Sequence, residues 1–411
     1  MQKTAIEWCD YTSNPVRVEV SESCPPGGCP DGTCPSEGCP SVNPQSAIRR
    51  GWFCTKVSAG CKNCYAERMN RRCNAAGEGI GNGLAFTAAN ESKVRFVLDD
   101  RELRKILHSR AKPGSRVFVG DMTDLFHPLI PFEMLDSLWA AMALRPDLTF
   151  MILTKRPGRM LEYLTGLYET YARARTAFEA AGADMRNPAH IAAMRRFRAI
   201  NAKNVDNRIV ESGPLPNVQL GVSVENQTAA EGRVWILLRC PAAARFVSYE
   251  PALGPVDLRP WMGPVHADAI GAAWKREPVP PFVMGESVFL AAEEHPWHGG
   301  LDGVIAGGES GPHARPAHPD WFRRVRDDCA AAGVPFFFKH WGEWAIARDH
   351  PRDGVIGTSI VWPDGKSVRG DESWEGPGTY ECMLRVGRKK AGRILDGRTH
   401  DELPEMSQTR A

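Results

Sequence analysis

The chain has 411 residues, of which 43% are hydrophobic, so its length fits two average domains or one large α/β barrel with insertions. Its net charge of +2 gives no global electrostatic case for nucleic-acid binding, and it contains neither a signal-peptide core at its start nor an apolar stretch long enough to cross a bilayer. We therefore expect a soluble, cytoplasmic protein without a membrane partner, whose twelve cysteines include metal ligands rather than a disulfide framework.

The first element in chain order is a predicted short strand from Thr4 to Tyr11, in which Ile6 and Trp8 alternate with Glu7. A segment rich in Pro and Gly follows, and these residues exclude a helix or a regular strand. It carries four cysteines at a regular C-x4-C-x4-C-x4-C spacing: Cys24, Cys29, Cys34 and Cys39. Four thiolates predict a metal site that would hold either zinc or an iron–sulfur cluster, and the alternative is a low-complexity insertion with spare thiols.

Three further cysteines, Cys54, Cys61 and Cys64, lie on a short Gly-containing loop in the spacing C-x6-C-x2-C. Three thiolates on such a loop can converge on one soft metal centre, such as a [4Fe-4S] cluster. A structural zinc site closes with four ligands, whereas a cluster with only three protein cysteines leaves one iron free to bind a substrate or cofactor. The alternatives are buried free thiols, or half of a zinc site completed by a distant His or Cys.

The three-cysteine loop, followed directly by the aromatic Tyr65, resembles that of the radical S-adenosylmethionine (SAM) enzymes. In that superfamily three cysteines hold a [4Fe-4S] cluster whose open iron is chelated by SAM, although the commonest spacing is C-x3-C-x2-C. The resemblance implies the cluster and SAM as cofactors, with an electron donor such as flavodoxin or ferredoxin. It also implies that one electron from the reduced cluster splits SAM into methionine and a 5′-deoxyadenosyl radical, which abstracts hydrogen from an unactivated carbon.

After this loop the chain alternates short apolar runs with amphipathic segments, and each run ends in a group of polar residues. Such alternation predicts a parallel sheet covered by helices, as in a complete or partial (β/α) barrel, with a doubly wound open sheet as the competing topology. The resemblance to the radical SAM enzymes implies a barrel of their type. Polar residues after the strands belong at the carboxyl-end rim, where α/β barrels keep their active sites. The six runs are Arg116–Val119, Thr149–Leu153, Val218–Val222, Arg245–Val247, Gly303–Ala306 and Val334–Phe338.

Four of these strand-end groups supply candidate SAM-binding residues. Carboxylates would bind the ribose or amino group of SAM, or would only cap the next helix, and a Lys–Arg pair would bind its carboxylate or a substrate phosphate. A Ser, Glu and Asn cluster suits the sugar or the methionine moiety, and glycines permit close approach of backbone to a ligand. In chain order these candidates are Asp121 and Asp124; Lys155 and Arg156; Ser223, Glu225 and Asn226; and Gly307, Gly308 and Glu309.

The two remaining groups supply the catalytic candidates. Glu250 is a carboxylate for substrate binding or proton transfer. Lys339 and His340, beside Trp341, suit acid–base chemistry or stacking against a base. A purely structural role is the alternative for each of them.

Several of these motifs together are similar to phage and bacterial three-cysteine proteins of largely unassigned function. The similarity covers most of the chain outside its insertions and rests on Ile6–Trp8, Tyr65–Glu67, Asp121–His127, Leu153–Pro157, Gly221–Asn226, Gly307–Gly311, Phe337–Gly342 and Arg385–Arg398. We accordingly expect a radical SAM-like barrel over residues 1–345, with a Cys-rich insertion at 16–50, an Arg-rich helical insertion at 158–216 and a further insertion at 264–300. A basic C-terminal extension would cover 346–411.

The expected function is that of a radical SAM enzyme that rearranges or modifies a nucleic-acid base or modified nucleotide, in the host cytoplasm if a phage encodes it. Phage members of the similar family point to an isomerase in thymine hypermodification of DNA. Two alternatives are a repair lyase resembling spore photoproduct lyase and a non-enzymatic zinc-dependent nucleic-acid-binding protein. Phosphates are natural partners for the basic tail and for the arginines of the second insertion, which are Arg173, Arg175, Arg186, Arg195, Arg196 and Arg198.

Overall fold

The computed structural model describes residues 1–21, 48–75, 81–165, 177–184, 186–191, 193, 214–263, 300–352, 354–370 and 379–404. The four-cysteine segment from Cys24 to Cys39 and most of the arginine-rich insertion lie outside these ranges, so metal and phosphate binding there stay predictions. No helix formed by the described residues combines the length and the apolar character that a bilayer crossing requires.

The strands are β1 Gln2–Lys3, β2 Tyr11–Ser13, β3 Val16–Ser21, β4 Ile48–Gly51, β5 Arg95–Leu98, β6 Arg116–Val119, β7 Thr149–Thr154, β8 Val218–Ser223, β9 Ala244–Tyr249, β10 Gly303–Gly307, β11 Phe336–His340, β12 Trp344–Ile346, β13 Gly357–Val361, β14 Ser367–Arg369 and β15 Glu381–Arg385. The helices that matter below are α1 Tyr65–Ala75, α2 Asp100–Leu107, α3 Phe132–Ala143, α4 Pro157–Thr165, α5 Gln227–Arg239, α6 Pro319–Ala332 and α7 Arg388–Ala391.

Eight strands form one sheet in the order β1-β2-β6-β7-β8-β9-β10-β11, which curls into half of a barrel. The strands from β2 onward run parallel, and β1 pairs antiparallel with β2. From β6 to β11 each strand lies beside the next one in the chain, so the order does not reverse as it does in a doubly wound sheet. The predicted α/β class is confirmed, and within the described strands the sheet stays open between β1 and β11.

The alternation of side chains along each strand divides the sheet residues between two faces. The concave face carries an apolar cluster of Trp8, Cys9, Phe118, Met151, Phe246, Ile305 and Phe337, whereas alternate positions such as Val117 and Val119 join the main core. Lys155 lies four positions after Met151, and Glu250 lies four positions after Phe246. Lys339 lies two positions after Phe337, which also belongs to the concave cluster. The same period of two therefore places all three side chains on the concave side at the carboxyl-end rim.

The predicted strand from Thr4 to Tyr11 is wrong. Residues 4–10 form a turn, closed by a hydrogen bond from Cys9 N to Ile6 O, and the flanking strands are only Gln2–Lys3 and Tyr11–Ser13. Trp8 is buried in the concave cluster, with its ring 4.7 Å from that of Phe118. The free energy gained by burying this large ring inside the half-barrel outweighs the preference of the alternating sequence for an extended strand.

Two smaller antiparallel sheets have the orders β4-β3-β5 and β12-β15-β13-β14. Residues 16–21 and 48–50, which fall within the insertion predicted at 16–50, are thus regular strands that pair with each other. The segment predicted as a basic extension supplies three of the four strands of the second sheet.

Residues after β15 return to the edge strand β11. Phe338 N donates to His400 O at 2.9 Å, and Asp401 forms an antiparallel bridge with Phe337. Arg388 on α7 lies 3.6 Å from Glu7 in an ion pair. The C-terminal segment therefore covers this edge of the sheet and contacts the N-terminal turn.

Gly221 in β8 leaves room for the buried Phe246 ring. A Cβ at Gly221 would lie 2.5 Å from Phe246 Cε2, so we expect Gly221→Ala to lower the free energy of unfolding by about 1–3 kcal/mol. Gly232→Ala on α5 is the matched control, because a Cβ there meets nothing within 4 Å and alanine favours a helix interior by about 0.5–1 kcal/mol. Urea unfolding followed by circular dichroism measures both, and equal midpoints for the two variants would contradict this assignment.

Candidate functional site

The three cysteines lie on the loop between β4 and α1, which contains one 3-10 turn over Ala59–Cys61. The loop passes over the carboxyl ends of β8 and β9. A Cβ on Gly60 would lie 3.4 Å from Glu225 Cδ and 3.5 Å from Pro251 Cδ. The structure thus brings the three-cysteine loop to the strand-end residues that the sequence singled out.

Two side-chain contacts tie the loop to the segment after β10. Arg315 donates from Nη2 to Ala59 O at 3.0 Å and makes a two-pronged pair with Glu309, at 2.6 and 2.8 Å. Asn63 Nδ2 donates to His313 O at 2.8 Å. The candidate Glu309, which is only 5% exposed, therefore orients the arginine that holds the loop.

The polar group at the end of β8 lies against the three-cysteine loop. Glu225 is 2% exposed and pairs with Arg233 Nη1 at 2.8 Å, and the same Nη1 donates to Ser223 O at 2.7 Å. Burial opposes ionisation of Glu225, but Arg233 and a hydrogen bond from Ser58 outweigh it, so the pKa of this carboxyl is lowered. Asn226 is the N-cap of α5 and accepts a hydrogen bond from the first helical turn. Arg233 and the first turn of α5 therefore fix these strand-end residues in place.

Two cations at the end of β7 act on different thiols. Arg156 Nη1 lies 3.6 Å from Cys54 Sγ and 3.2 Å from Asp124 Oδ2. The charge of Lys155 acts instead on Cys61 and Cys64. Within the described residues the ammonium of Lys155 makes no hydrogen bond or ion pair, which leaves its three donors available to a ligand.

The three thiols differ in their tendency to ionise. Burial raises the pKa of Cys54 to about 11, and it also raises the pKa of Cys64. Burial opposes ionisation of Cys61 too, but Lys155 and hydrogen bonds from Val57 and Ser58 outweigh it and lower the pKa of this thiol. Since metals bind the thiolate, binding at this loop would release protons from Cys54 and Cys64.

The thiols of the loop are soft ligands of the kind that an iron–sulfur cluster takes, and the cluster itself stays a prediction. Over the described ranges, no three His, Cys, Asp or Glu side chains converge closely enough to hold one metal ion. Three soft thiols beside two cations also match an anionic thiolate cluster, which Cys54, Cys61 and Cys64 would hold.

The two aspartates after β6 have different surroundings. Asp124 accepts from Thr154 Oγ1 at 2.7 Å and so ties the end of β6 to the end of β7. Asp121 accepts from Asn14 Nδ2 at 2.6 Å and from Tyr65 Oη at 3.0 Å. Burial raises the pKa of Asp121, although these two hydrogen bonds act in the opposite direction. Asp121 therefore links the residue that follows the last cysteine to the end of β6.

Glu250, Lys339 and His340 form one ion-paired group. Lys339 Nζ lies 2.8 and 3.0 Å from the two carboxylate oxygens of Glu250, and His340 Nε2 lies 3.6 Å from Oε1. Burial opposes ionisation of Glu250, but Lys339 and His340 outweigh it and lower the pKa of the carboxyl; burial lowers the pKa of His340. The charge of Lys155 also helps to lower the pKa of Glu250.

The two glycines at the end of β10 serve close packing within the protein. A Cβ on Gly308 would lie 2.6 Å from the carbonyl carbon of Trp341, and Gly308 N donates to His340 O at 2.9 Å. A Cβ on Gly307 would lie 3.4 Å from Glu250 Cδ. These two candidates therefore let the ends of β10 and β11 and the Glu250 side chain approach one another.

Four residues that hold the site together are not among those predicted from the sequence: Asn14, Thr55, Arg233 and Arg315. A carboxylate that leaves water needs a cation or hydrogen-bond donors. Buried strand-end acids such as Glu225 and Glu309 therefore imply partners, but the sequence does not say which of the many arginines those partners are.

A family model described as "Protein of unknown function (DUF5131)" matches residues 49–404. Comparison with the curated proteins and with the solved structures gives no match. The matched range contains the three-cysteine loop and every strand-end group described above.

Proposed function

The chain belongs to the DUF5131 family, to which no function is assigned, and we propose that it is a radical SAM enzyme that modifies or rearranges a nucleic-acid base. One juxtaposition carries the proposal. Three thiols on one loop stand at the carboxyl-end rim of a parallel half-barrel, beside two cations from a single strand end, of which Arg156 bonds to a thiol and Lys155 is unpaired among the described residues.

The three cysteines would hold a [4Fe-4S] cluster, which, once reduced by an electron donor, would supply the electron for splitting SAM. Lys155 would bind the SAM carboxylate, because its charge acts on Cys61 and Cys64 while its ammonium makes no hydrogen bond or ion pair among the described residues. Asp121 has acceptor capacity beyond its bonds to Asn14 and Tyr65 and would take the SAM amino group or ribose. The Glu250–Lys339–His340 group would contact the substrate and exchange protons with it.

Exposed arginines beside the loop support nucleic acid as the substrate class. Arg68, Arg71 and Arg72 are exposed on α1, which begins directly after Cys64. At 100° per residue their side chains fall within an arc of about 100° of the helix surface. Such a face suits phosphates, and a bound polynucleotide would bring its target base near the rim.

Anaerobic reconstitution with iron and sulfide, followed by dithionite, SAM and mass-spectrometric assay of 5′-deoxyadenosine, tests the proposal. We expect 5′-deoxyadenosine from the wild type and none from Cys61→Ala. Cys382→Ala on β15, far along the chain from the loop, is the matched control and should retain the activity.

Nucleoside mass spectrometry of DNA from cells with and without the gene tests the substrate class, and a modified base that changes with the gene would support it. A repaired dinucleotide would select the lyase alternative. A colourless, zinc-loaded protein that does not cleave SAM would contradict the proposal and favour the zinc-dependent binding protein.

A further inference from the structure

The guanidinium of Arg156 is held in one orientation by the protein. Its side chain is 11% exposed, and Nη2 donates to Thr55 O at 3.0 Å and to Thr55 Oγ1 at 2.7 Å. Nη1 is shared between Asp124 Oδ2 and Cys54 Sγ. With these donors in use, Arg156 has little capacity to bind the carboxylate of a small ligand, in contrast to Lys155.

The Thr55 hydroxyl is in turn fixed by His127. This histidine is fully buried, and its Nδ1 accepts from Leu129 N at 3.3 Å, so in the neutral ring the proton is on Nε2. Nε2 lies 3.1 Å from Thr55 Oγ1 and donates to it. Burial lowers the pKa of His127 to about 4, which keeps the ring neutral at physiological pH. Both lone pairs of the Thr55 hydroxyl are therefore used, one by His127 and one by Arg156.

We propose that Arg156 is a positioning residue that raises the reduction potential of the cluster held by Cys54, and that Thr55 and His127 fix it for this role. The proposal rests on the proposed function, because it requires the cluster. Reduction adds one negative charge to the cluster, and a hydrogen bond and a positive charge at a ligating sulfur favour the reduced form. Asp124 offsets part of that charge, so the directed N–H bond to Cys54 Sγ carries much of the effect.

The experiment is a potentiometric titration of the reconstituted full-length chain, with the reduced cluster followed by electron paramagnetic resonance. Arg156→Gln should shift the midpoint to a lower potential, and Arg156→Lys, which keeps the charge without the planar fork, should shift it less. Thr55→Val, which removes the anchoring hydroxyl at nearly constant volume, should give a smaller shift in the same direction.

Arg159→Gln is the matched control. Arg159 is the next arginine along the chain on α4, but its Nη2 donates to Ile130 O at 2.8 Å rather than to a thiol, so its loss should leave the midpoint unchanged. Iron content and SAM affinity are measured on the same samples. Should Arg156→Gln fail to fold, the Thr55→Val shift decides the question.

The outcomes separate this inference from the proposed function. A full iron complement with an unchanged midpoint in Arg156→Gln and Thr55→Val overturns the role of Arg156 and leaves the radical SAM proposal intact. Weaker SAM binding at an unchanged midpoint also overturns it, since that result makes Arg156 a cofactor ligand. If the wild type takes up no iron–sulfur cluster, the proposed function fails and this inference fails with it.

Discussion

We expect the Lys155→Met variant to take up its cluster and to bind SAM about 10- to 150-fold more weakly than the wild type. A hydrogen bond to a charged group contributes about 1.5–3 kcal/mol, and each 1.4 kcal/mol is a factor of ten in affinity. Lys155 is the cation that acts on Cys61, Cys64 and Glu250 without a hydrogen bond or ion pair of its own among the described residues. A ligand carboxylate placed there would meet three unused donors.

Equilibrium dialysis with SAM and the oxidised cluster measures this binding without turnover. Affinities are expressed per bound cluster, because loss of Lys155 also removes a charge that favours the Cys61 thiolate. Lys155→Arg keeps the charge and is the control that should retain most of the affinity. Wild-type affinity in Lys155→Met would rule out the assignment of the SAM carboxylate to this residue.

The Glu250→Leu variant should lose about 3 kcal/mol of its free energy of unfolding, near the lower end of the range for breaking a buried ion pair. Lys339 would keep a charge without a carboxylate partner in a site where its side chain is 15% exposed. The double variant Glu250→Leu with Lys339→Met removes both charges and should recover most of the loss. Denaturant unfolding of the wild type, Glu250→Leu, Lys339→Met and the double variant gives the coupling energy between the two sites. Additive losses would show that the pair is not coupled.

The same pair gives an expected pH dependence. The pKa of Glu250 is lowered from its usual 4.5, so its contribution to stability is present above that value and is lost as the pH falls through the lowered folded-state pKa. The pKa of His340 is also lowered, from its usual 6.5, so the unfolded chain binds that proton more readily than the folded one. Stability therefore also falls as the pH drops below 6.5. The acid-induced loss of stability should therefore be smaller in the double variant, which lacks the Glu250 contribution.

The strands that build the rim could be predicted from sequence because they are short apolar runs followed by polar residues, and this pattern follows directly from a parallel sheet buried on both faces. Met151, Leu153 and Lys155 show the limit of that reasoning. Their even spacing places them on one face, but only the order of strands says which other side chains share it. The failed N-terminal strand has a related cause, because burial of Trp8 depends on Phe118, more than a hundred residues away.

The roles of the strand-end residues were harder to predict than their location. The sequence predicts that Glu225, Glu309 and Asp124 bind the cofactor, yet each of these carboxylates forms an ion pair with an arginine of the protein. The sequence offers many arginines, and the choice among them is made by tertiary packing. The sequence gives no role for His127, because its contact with Thr55 joins residues 72 positions apart.

The return of the C-terminal segment to β11 also bears on how the protein behaves at high concentration. An uncovered parallel edge strand with Phe336, Phe337 and Phe338 would offer unpaired backbone groups and an apolar surface to a second molecule, which is a template for intermolecular β-pairing. Here the bridge between Phe337 and Asp401 and the bond from Phe338 N to His400 O occupy that edge, while β1 at the other edge is only two residues long. Detachment of this segment, rather than loss of the core, would then be the event that exposes the chain to aggregation.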